Sequence, residues 1–255
     1  MKYGISKLSI IPGRAEPSDK AENITQILFG EHFEILEEQE KWKKIRMPDD
    51  NYVCWICNKQ YEEISKEAFD FLCDNFWPRT LDLLGIVKDL DTQDYHNLPL
   101  GSQIPFFDDG NFHINEASFI FKGTLAAAST KNIIPYAYLY LNAPYLWGGR
   151  TPFGIDCSGF SQMVYKLIGI KIPRDAYQQE EIGTEVSLEN AKEGDLAFFV
   201  NAKGRVNHVG IMMKDKQVIH ASGRVRIDKI DKRGIYNTDI VGYSHNLKNI
   251  KRIIE

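Results

Sequence analysis

The 255-residue sequence predicts an α+β domain beginning near residue 123, preceded by two small β-barrels in series. Three observations carry this expectation. Residues 1–62 hold short runs rich in Ile, Val, Phe, Tyr and Trp, separated by turn signals such as Pro12-Gly13, Phe29-Gly30-Glu31 and Pro48-Asp49-Asp50-Asn51. The stretch "PLGSQIPFFDDGNFHI" (99–114) repeats the layout of "ILFGEHFEILEEQEKWKKI" (27–45), apolar–Gly–polar–strand–turn–strand, which points to a duplicated barrel over 76–122. Beyond residue 123 the pattern changes to helices followed by a meander of strands.

The elements follow in order. Residues 1–62 form the first barrel. Residues 63–75, "EISKEAFDFLCDN", read as a connecting helix, with Ser65 as its cap and Ala68, Phe69, Leu72 and Cys73 on one face. Residues 76–122 form the second barrel, and 123–255 the α+β domain. There "LAAASTKNIIPYAYLYLN" (125–142) is helical, with Pro135 near a start or kink. "DCSGFSQMVYKLIG" (156–169) is a second helix: Phe160, Val164, Leu167 and Ile168 make an apolar stripe, and Gly169 stands where a C-cap belongs. Strands follow at 194–200, 207–213, 217–222 and 224–230.

Composition excludes several functions. The chain is 43% hydrophobic and 26% charged, with net charge −4 and no Lys/Arg cluster that would track a nucleic acid. Its apolar runs are too short to cross a bilayer. The N-terminus "MKYGISKLSIIPGRAEPS" lacks the pattern of a signal peptide, so the expected location is the cytoplasm, or outside it if a signal peptide has been removed. Cys54 and Cys57 form a C-x-x-C within a strand, where residues three apart face opposite sides, and no second ligand pair follows at zinc-finger spacing. They are expected to be structural thiols, with no metal bound.

Cys157 stands at the start of the second helix, among Gly148, Gly149, Gly154 and Gly159. A thiol reacts as its thiolate, and a helix N-terminus favours an anion. A nucleophilic cysteine also needs a base, and the base an orienting group. His208 and His220 lie on strands otherwise made of apolar residues. They are twelve apart, so they share a sheet face only if the loop between the strands has an odd number of residues. A three-residue loop centred on Asp215 puts them together; a two-residue loop splits them. His32, His96, His113 and His245 are expected to be structural or surface residues.

"PYLWGGRTPFGIDCSGF", "NHVGI" and "VIHASG", in that order, resemble the NlpC/P60 family of cell-wall cysteine peptidases, over residues 123 to about 250. The N-terminal barrels resemble bacterial SH3 (SH3b) domains, and the whole arrangement is similar to the γ-D-glutamyl-L-diamino acid endopeptidases. The resemblance implies a papain-like catalytic domain with Cys157 as nucleophile, His208 as general base and His220 as the group orienting it. It implies Tyr145 as an oxyanion donor beside the backbone N–H of Cys157. For substrate, it implies that Asp156 and Ser158 help hold a D-Glu, that Trp147 walls the pocket, that Arg174 takes the α-carboxylate, and that Asp175 pairs with the ammonium of an N-terminal L-Ala. Glu31 and Tyr61 of the first barrel, with Tyr52 competing for the latter role, would close the same pocket.

The implied reaction is hydrolysis of the γ-D-Glu–L-diamino acid bond, with meso-diaminopimelate or L-lysine, in released murein peptides with a free L-Ala. It needs no cofactor, nucleic acid or membrane partner, and a monomer suffices. Two rivals remain at this level: an amidase or acyltransferase of the same superfamily, and an inert module that binds murein peptides.

Overall fold

A computed structural model describes residues 1–254. The chain divides into two units: residues 1–127 with 147–151, and residues 128–146 with 152 onward.

Unit 1 is built from short antiparallel strands. β1 (Lys2–Ile5), β2 (Ile10–Arg14), β3 (Asn23–Leu28), β4 (His32–Glu38), β5 (Trp42–Arg46), β6 (Val53–Cys57) and β7 (Glu62–Ile64) form a sheet in the order β3-β2-β6-β5-β4-β1-β7. Alternation along the strands sends Ile11, Ile27, Phe33, Ile35, Ile45, Cys54 and Ile56 into one core. Cys54 is buried and Cys57 is half-exposed, as opposite faces of one strand require, and all four cysteines are free thiols.

The connector is packed rather than loose. Helix α1 (Lys66–Asp74) is capped by Ser65, whose hydroxyl accepts from the Ala68 N–H at 3.1 Å. Phe69 stacks on Tyr3, and Leu72 is buried. β8 (Leu84–Asp89), β9 (Tyr95–Pro99), β10 (Asn111–Ile114) and β11 (Ala117–Phe121) form a four-stranded sheet in the order β10-β11-β8-β9. Its core is continuous with the first sheet: Ile5 and Phe29 lie in one cluster with Leu72, Val87, Leu98, Phe112, Phe119 and Phe121. Each such side chain contributes roughly 1.5–3 kcal/mol by leaving water, so the two sheets stabilise one another. The two-residue strand β12 (Arg150–Thr151) also belongs to this unit.

Unit 2 starts later than the helical pattern of 125–142 suggests. A 3-10 turn (Thr130–Asn132) leads into α2 (Ile133–Tyr138), and Pro135 sits in its first turn, where its missing N–H costs nothing. After β13 (Gly154–Ile155) comes α3 (Cys157–Leu167), which is buried along its whole length and not only on the expected stripe. It ends with Gly169 at φ +85°, the left-handed conformation of a helix C-terminus. α4 is short (Ala176–Glu180).

The strands are β14 (Thr184–Val186), β15 (Leu196–Val200), β16 (Val206–Met213), β17 (Gln217–Ser222), β18 (Arg224–Ile230), β19 (Gly234–Asn237) and β20 (Gly242–Arg252). They run β14-β20-β15-β16-β17-β18-β19, and β19 also pairs with β20. Strands β15 to β20 therefore form a closed antiparallel ring, which leaves them no free edge. α3 packs on β16 and β17, α2 packs on α3, and α4 on β16.

Candidate active site

The start of α3 is fixed by Asp156. This residue is the N-cap: its Oδ1 accepts from the Gly159 N–H at 2.6 Å. The first N–H groups of a helix have no partner inside it, so those of Cys157 and Ser158 point outward where the sulfur lies. Cys157 is only 6% exposed, and its sulfur sits beside β16, within reach of the Val209 N–H. Burial pushes the thiol up to about 12, and the Asp156 charge adds to this; the N–H groups of Val209 and Ser158 work the other way. Desolvation thus outweighs the helix terminus, and the resting sulfur carries its proton, contrary to the thiolate expected from helix position alone. Alkylation of Cys157 by iodoacetamide in the free protein should rise about tenfold per pH unit from pH 7 to 9. A rate already flat below pH 7 would show a preformed thiolate.

Hairpin register decides where the histidines go. The connection between β16 and β17 is the three-residue turn Lys214–Lys216, with Asp215 at φ +56°, and Gly210 pairs with His220. With this odd loop His208 and His220 share a face, and His208 Nε2 lies 2.8 Å from His220 Nδ1. Both rings are buried, 5% and 1% exposed.

Behind them is a residue that the sequence reading did not select. Asp228 Oδ2 lies 3.0 Å from His220 Nε2, and Arg226 donates to both Asp228 oxygens. His220 pairs with Arg226 across β17 and β18, so alternation places Arg226 and Asp228 on the same face as His220. The Arg-x-Asp spacing in "RVRID" was the available signal.

This chain of contacts sets the protons. Burial works against charge on Asp228, but hydrogen bonds from His220 and Arg226 hold its carboxyl below the usual carboxylate range. As an acceptor it requires a proton on His220 Nε2. His220 Nδ1 is then bare and accepts from His208 Nε2–H. That leaves His208 Nδ1 with its lone pair, a ring nitrogen able to accept a proton. Burial lowers both His208 and His220 from their usual value, with the neighbouring His220 adding to the effect on His208, so both rest neutral.

Gly210 in "HVGI" has a steric reason. A Cβ there would lie 2.5 Å from Val218 Cγ2 and 2.9 Å from His220 Cβ. Gly210→Ala is therefore expected to displace His220 and lower kcat about 10- to 100-fold with a smaller change in KM, since displacements near 1 Å cost up to ~10² in rate. Steady-state kinetics with an unchanged circular dichroism spectrum would check it.

The remaining expected residues divide. Tyr145 is 37% exposed, and burial together with the nearby Cys157 and Asp156 raises its hydroxyl well above the ordinary value, so it remains a neutral donor close to the sulfur. Asp175 is half-buried at the N-cap of α4, its N–H donating to Gln178 Oε1 at 3.2 Å. Arg174 is placed differently from the expectation of a substrate-carboxylate ligand. It is 1% exposed, its Nη1 and Nη2 donate to the two oxygens of Asp156 at 3.0 and 2.6 Å, and Nη1 also reaches Ser158 Oγ at 3.0 Å. The Asp156–Arg174–Ser158 cluster therefore braces the helix start instead of presenting open charges. Gln179, which the sequence did not flag, ties α4 to α3 by accepting from Ser161 Oγ at 2.7 Å and donating to Ser158 O at 3.0 Å.

In unit 1, Glu31 also differs from expectation: it is buried, and its oxygens accept from Arg150 Nη1 and Nη2 at 2.8 and 2.9 Å and from the Leu28 N–H. It holds the 147–151 segment in place. Tyr61 is half-buried against Phe33, Tyr52 lies at the edge of the same core, and Trp147 is exposed. His245, expected to be peripheral, stacks on His208 with centroids 4.0 Å apart.

Comparison with known proteins agrees with this geometry. Residues 142–242 match the NlpC/P60 family, and residues 13–60 the bacterial dipeptidyl-peptidase SH3 domain. The chain is 30% identical over 225 residues to the gamma-D-glutamyl-L-lysine dipeptidyl-peptidase of Bacillus subtilis, covering 77% of this chain and 71% of that one. It is 27% identical over 259 residues to dipeptidyl-peptidase 6 of Lysinibacillus sphaericus, covering 89% and 91%. Its fold resembles the crystal structure of an NlpC/P60 family protein from Bacillus cereus, with TM-score 0.81 at 21% identity over 99% of this chain and 100% of the other. The chain belongs to the NlpC/P60 family of cysteine peptidases and carries a bacterial SH3 domain ahead of its NlpC/P60 region.

Proposed function

We propose that this peptidase hydrolyses the γ-D-Glu–L-diamino acid bond of murein stem peptides whose N-terminal L-Ala is free. The observation that carries the reading is the ordered line Asp228–His220–His208, which leaves His208 one bare ring nitrogen to act as the base. The name of the Bacillus subtilis relative, a gamma-D-glutamyl-L-lysine dipeptidyl-peptidase, supports the bond, and the Lysinibacillus sphaericus relative is likewise named a dipeptidyl-peptidase. In this reading unit 2 is papain-like, and the four-stranded sheet of 84–121 is a second SH3-like barrel.

The mechanism follows from the proton order. His208 Nδ1 takes the thiol proton as Cys157 sulfur attacks the γ-carbonyl carbon of D-Glu. The negative charge on the carbonyl oxygen is met by the Cys157 N–H and the Tyr145 hydroxyl. The C–N bond breaks as His208 returns the proton to the departing amine of the diamino acid. Water, deprotonated by the same nitrogen, then releases L-Ala-D-Glu from the sulfur. Asp175 pairs with the L-Ala ammonium. Asp156 and Ser158 orient the helix start beneath the D-Glu. Muramic-acid-linked stems lack the ammonium and are poor substrates, so the source is peptide already released from the wall. We place this work in the cytoplasm, by a monomer.

The test is mass spectrometry of products from L-Ala-γ-D-Glu-L-Lys, its meso-diaminopimelate analogue and their N-acetylated forms, with wild type and Cys157→Ala. Cleavage of the free peptides between D-Glu and the diamino acid is expected. Acetylation should slow it at least about 100-fold, because a desolvated carboxylate left without its cation costs several kcal/mol. Equal cleavage of free and acetylated peptides would remove Asp175 from its role, and no cleavage of either would overturn the reading.

A further inference from the structure

The proton relay uses two histidines, yet three imidazoles meet at this point. Each of His208, His220 and His245 can offer one ring nitrogen, and these atoms lie within 4.8 Å of one another. His245 takes no part in the line from Asp228 to His208. It lies on β20 opposite Ile235, stacks on His208, and stands edge-on to His220 with centroids 5.6 Å apart. Three imidazoles with an open fourth position are a recognised ligand set for Zn²⁺ and its neighbours among the divalent transition metals.

The surroundings fit the same use. A ligating histidine ordinarily donates its second N–H to a fixed oxygen, which holds the ring and selects the metal-facing nitrogen. His220 Nε2 does so with Asp228 at 3.0 Å, and His245 Nδ1 lies 2.9 Å from Ser244 Oγ. The inward atoms His208 Nε2 and His220 Nδ1 are 2.8 Å apart. Tetrahedral coordination at ordinary Zn–N lengths separates ligand nitrogens by about 3.3 Å, so the pair need open only by about half an ångström. His208 and His220 are buried, whereas His245 is half-exposed and gives an ion a way in.

We propose that His208, His220 and His245 form a binding site for a divalent transition-metal ion of the Zn²⁺ class, and that an ion bound there switches the peptidase off. Binding uses the lone pair of His208 Nε2. The proton that this atom shares with His220 moves to His208 Nδ1, the only other ring nitrogen, and the lone pair that the proposed base needs is lost. The inhibition rests on the peptidase reading; the binding does not. The site differs from ordinary thiol–imidazole poisoning of a cysteine enzyme because its third ligand is His245 and not Cys157.

The experiment measures Zn²⁺ affinity of the full chain by competition with a chromophoric chelator, for wild type, His245→Ala, His245→Asn and Cys157→Ala. Wild type should bind one ion. Both His245 variants should bind at least about tenfold more weakly, and Cys157→Ala within about twofold of wild type. Because a His245 variant could weaken binding through misfolding, Co²⁺ is also added to wild type: an imidazole site shows d–d bands without a thiolate-to-metal charge-transfer band. Absence of one-to-one binding, affinity that follows Cys157 rather than His245, or a thiolate band would each overturn the proposal. Peptide cleavage, measured separately in metal-free buffer, tests the peptidase reading alone.

Discussion

Replacing His208 with alanine is expected to lower kcat by about 10³–10⁴, and replacing Asp228 with alanine to lower it by about 10², with KM changed little in either case. The first variant removes the proposed acceptor of the thiol proton, and the thiol, pushed up to about 12 by burial, does not give it up unaided. The second leaves the base in place but removes what orders it. Without Asp228 the His220 proton can sit on either nitrogen. Where it sits on Nδ1, it meets His208 Nε2–H donor to donor, and His208 must turn or shift its own proton to Nδ1. The productive form is then a minority, and the imidazolium formed during attack loses a carboxylate two rings away.

Asp228→Glu should recover part of the rate, since it restores the acceptor. Arg226 keeps partners in Asp239 and Asn237, so Asp228→Ala should fold. Kinetics beside a thermal melt would separate the two effects. A Tm loss with kcat intact would make Asp228 structural and not positional.

Substituting Arg174 by methionine is expected to destabilise unit 2 by about 3–5 kcal/mol, a fall in Tm of about 10 °C. The cost comes from Asp156, whose carboxylate would remain buried with its cation gone. Ser158 would lose a donor as well. The double variant Asp156→Asn/Arg174→Met should recover most of the loss, because asparagine still caps the helix and no charge is left in the interior. If Arg174 instead served chiefly to hold a substrate carboxylate, Arg174→Met would raise KM and leave Tm near the wild-type value. Denaturation of the four proteins of this cycle, with KM for the two single variants, decides between them.

The parts legible from sequence were those governed by local rules. Alternation and turn residues marked the N-terminal strands. The 3.6-residue stripe of Phe160, Val164, Leu167 and Ile168 and the glycine behind it marked α3. Parity along two strands correctly made the meeting of His208 and His220 depend on an odd loop. What was missed has a common physical cause. β20, "GYSHNLKNIKR", has no clean apolar alternation; its strand conformation comes from the hydrogen bonds of β14, β15 and β19, and so His245 could not be placed. Arg174 and Glu31 were read as open charges because sequence shows a charge but not its partner.

The residues by themselves therefore determined the chemistry on offer: a cysteine at a helix start, two histidines able to share a sheet face, and a series of short barrel strands ahead of them. Only the tertiary structure decided which charges are already paired inside the protein, which nitrogen of His208 is left bare, and that a third imidazole joins the other two. Those outcomes depend on contacts between residues far apart in the chain, where burial sets the protonation of each group and hydrogen-bond direction sets the position of each proton.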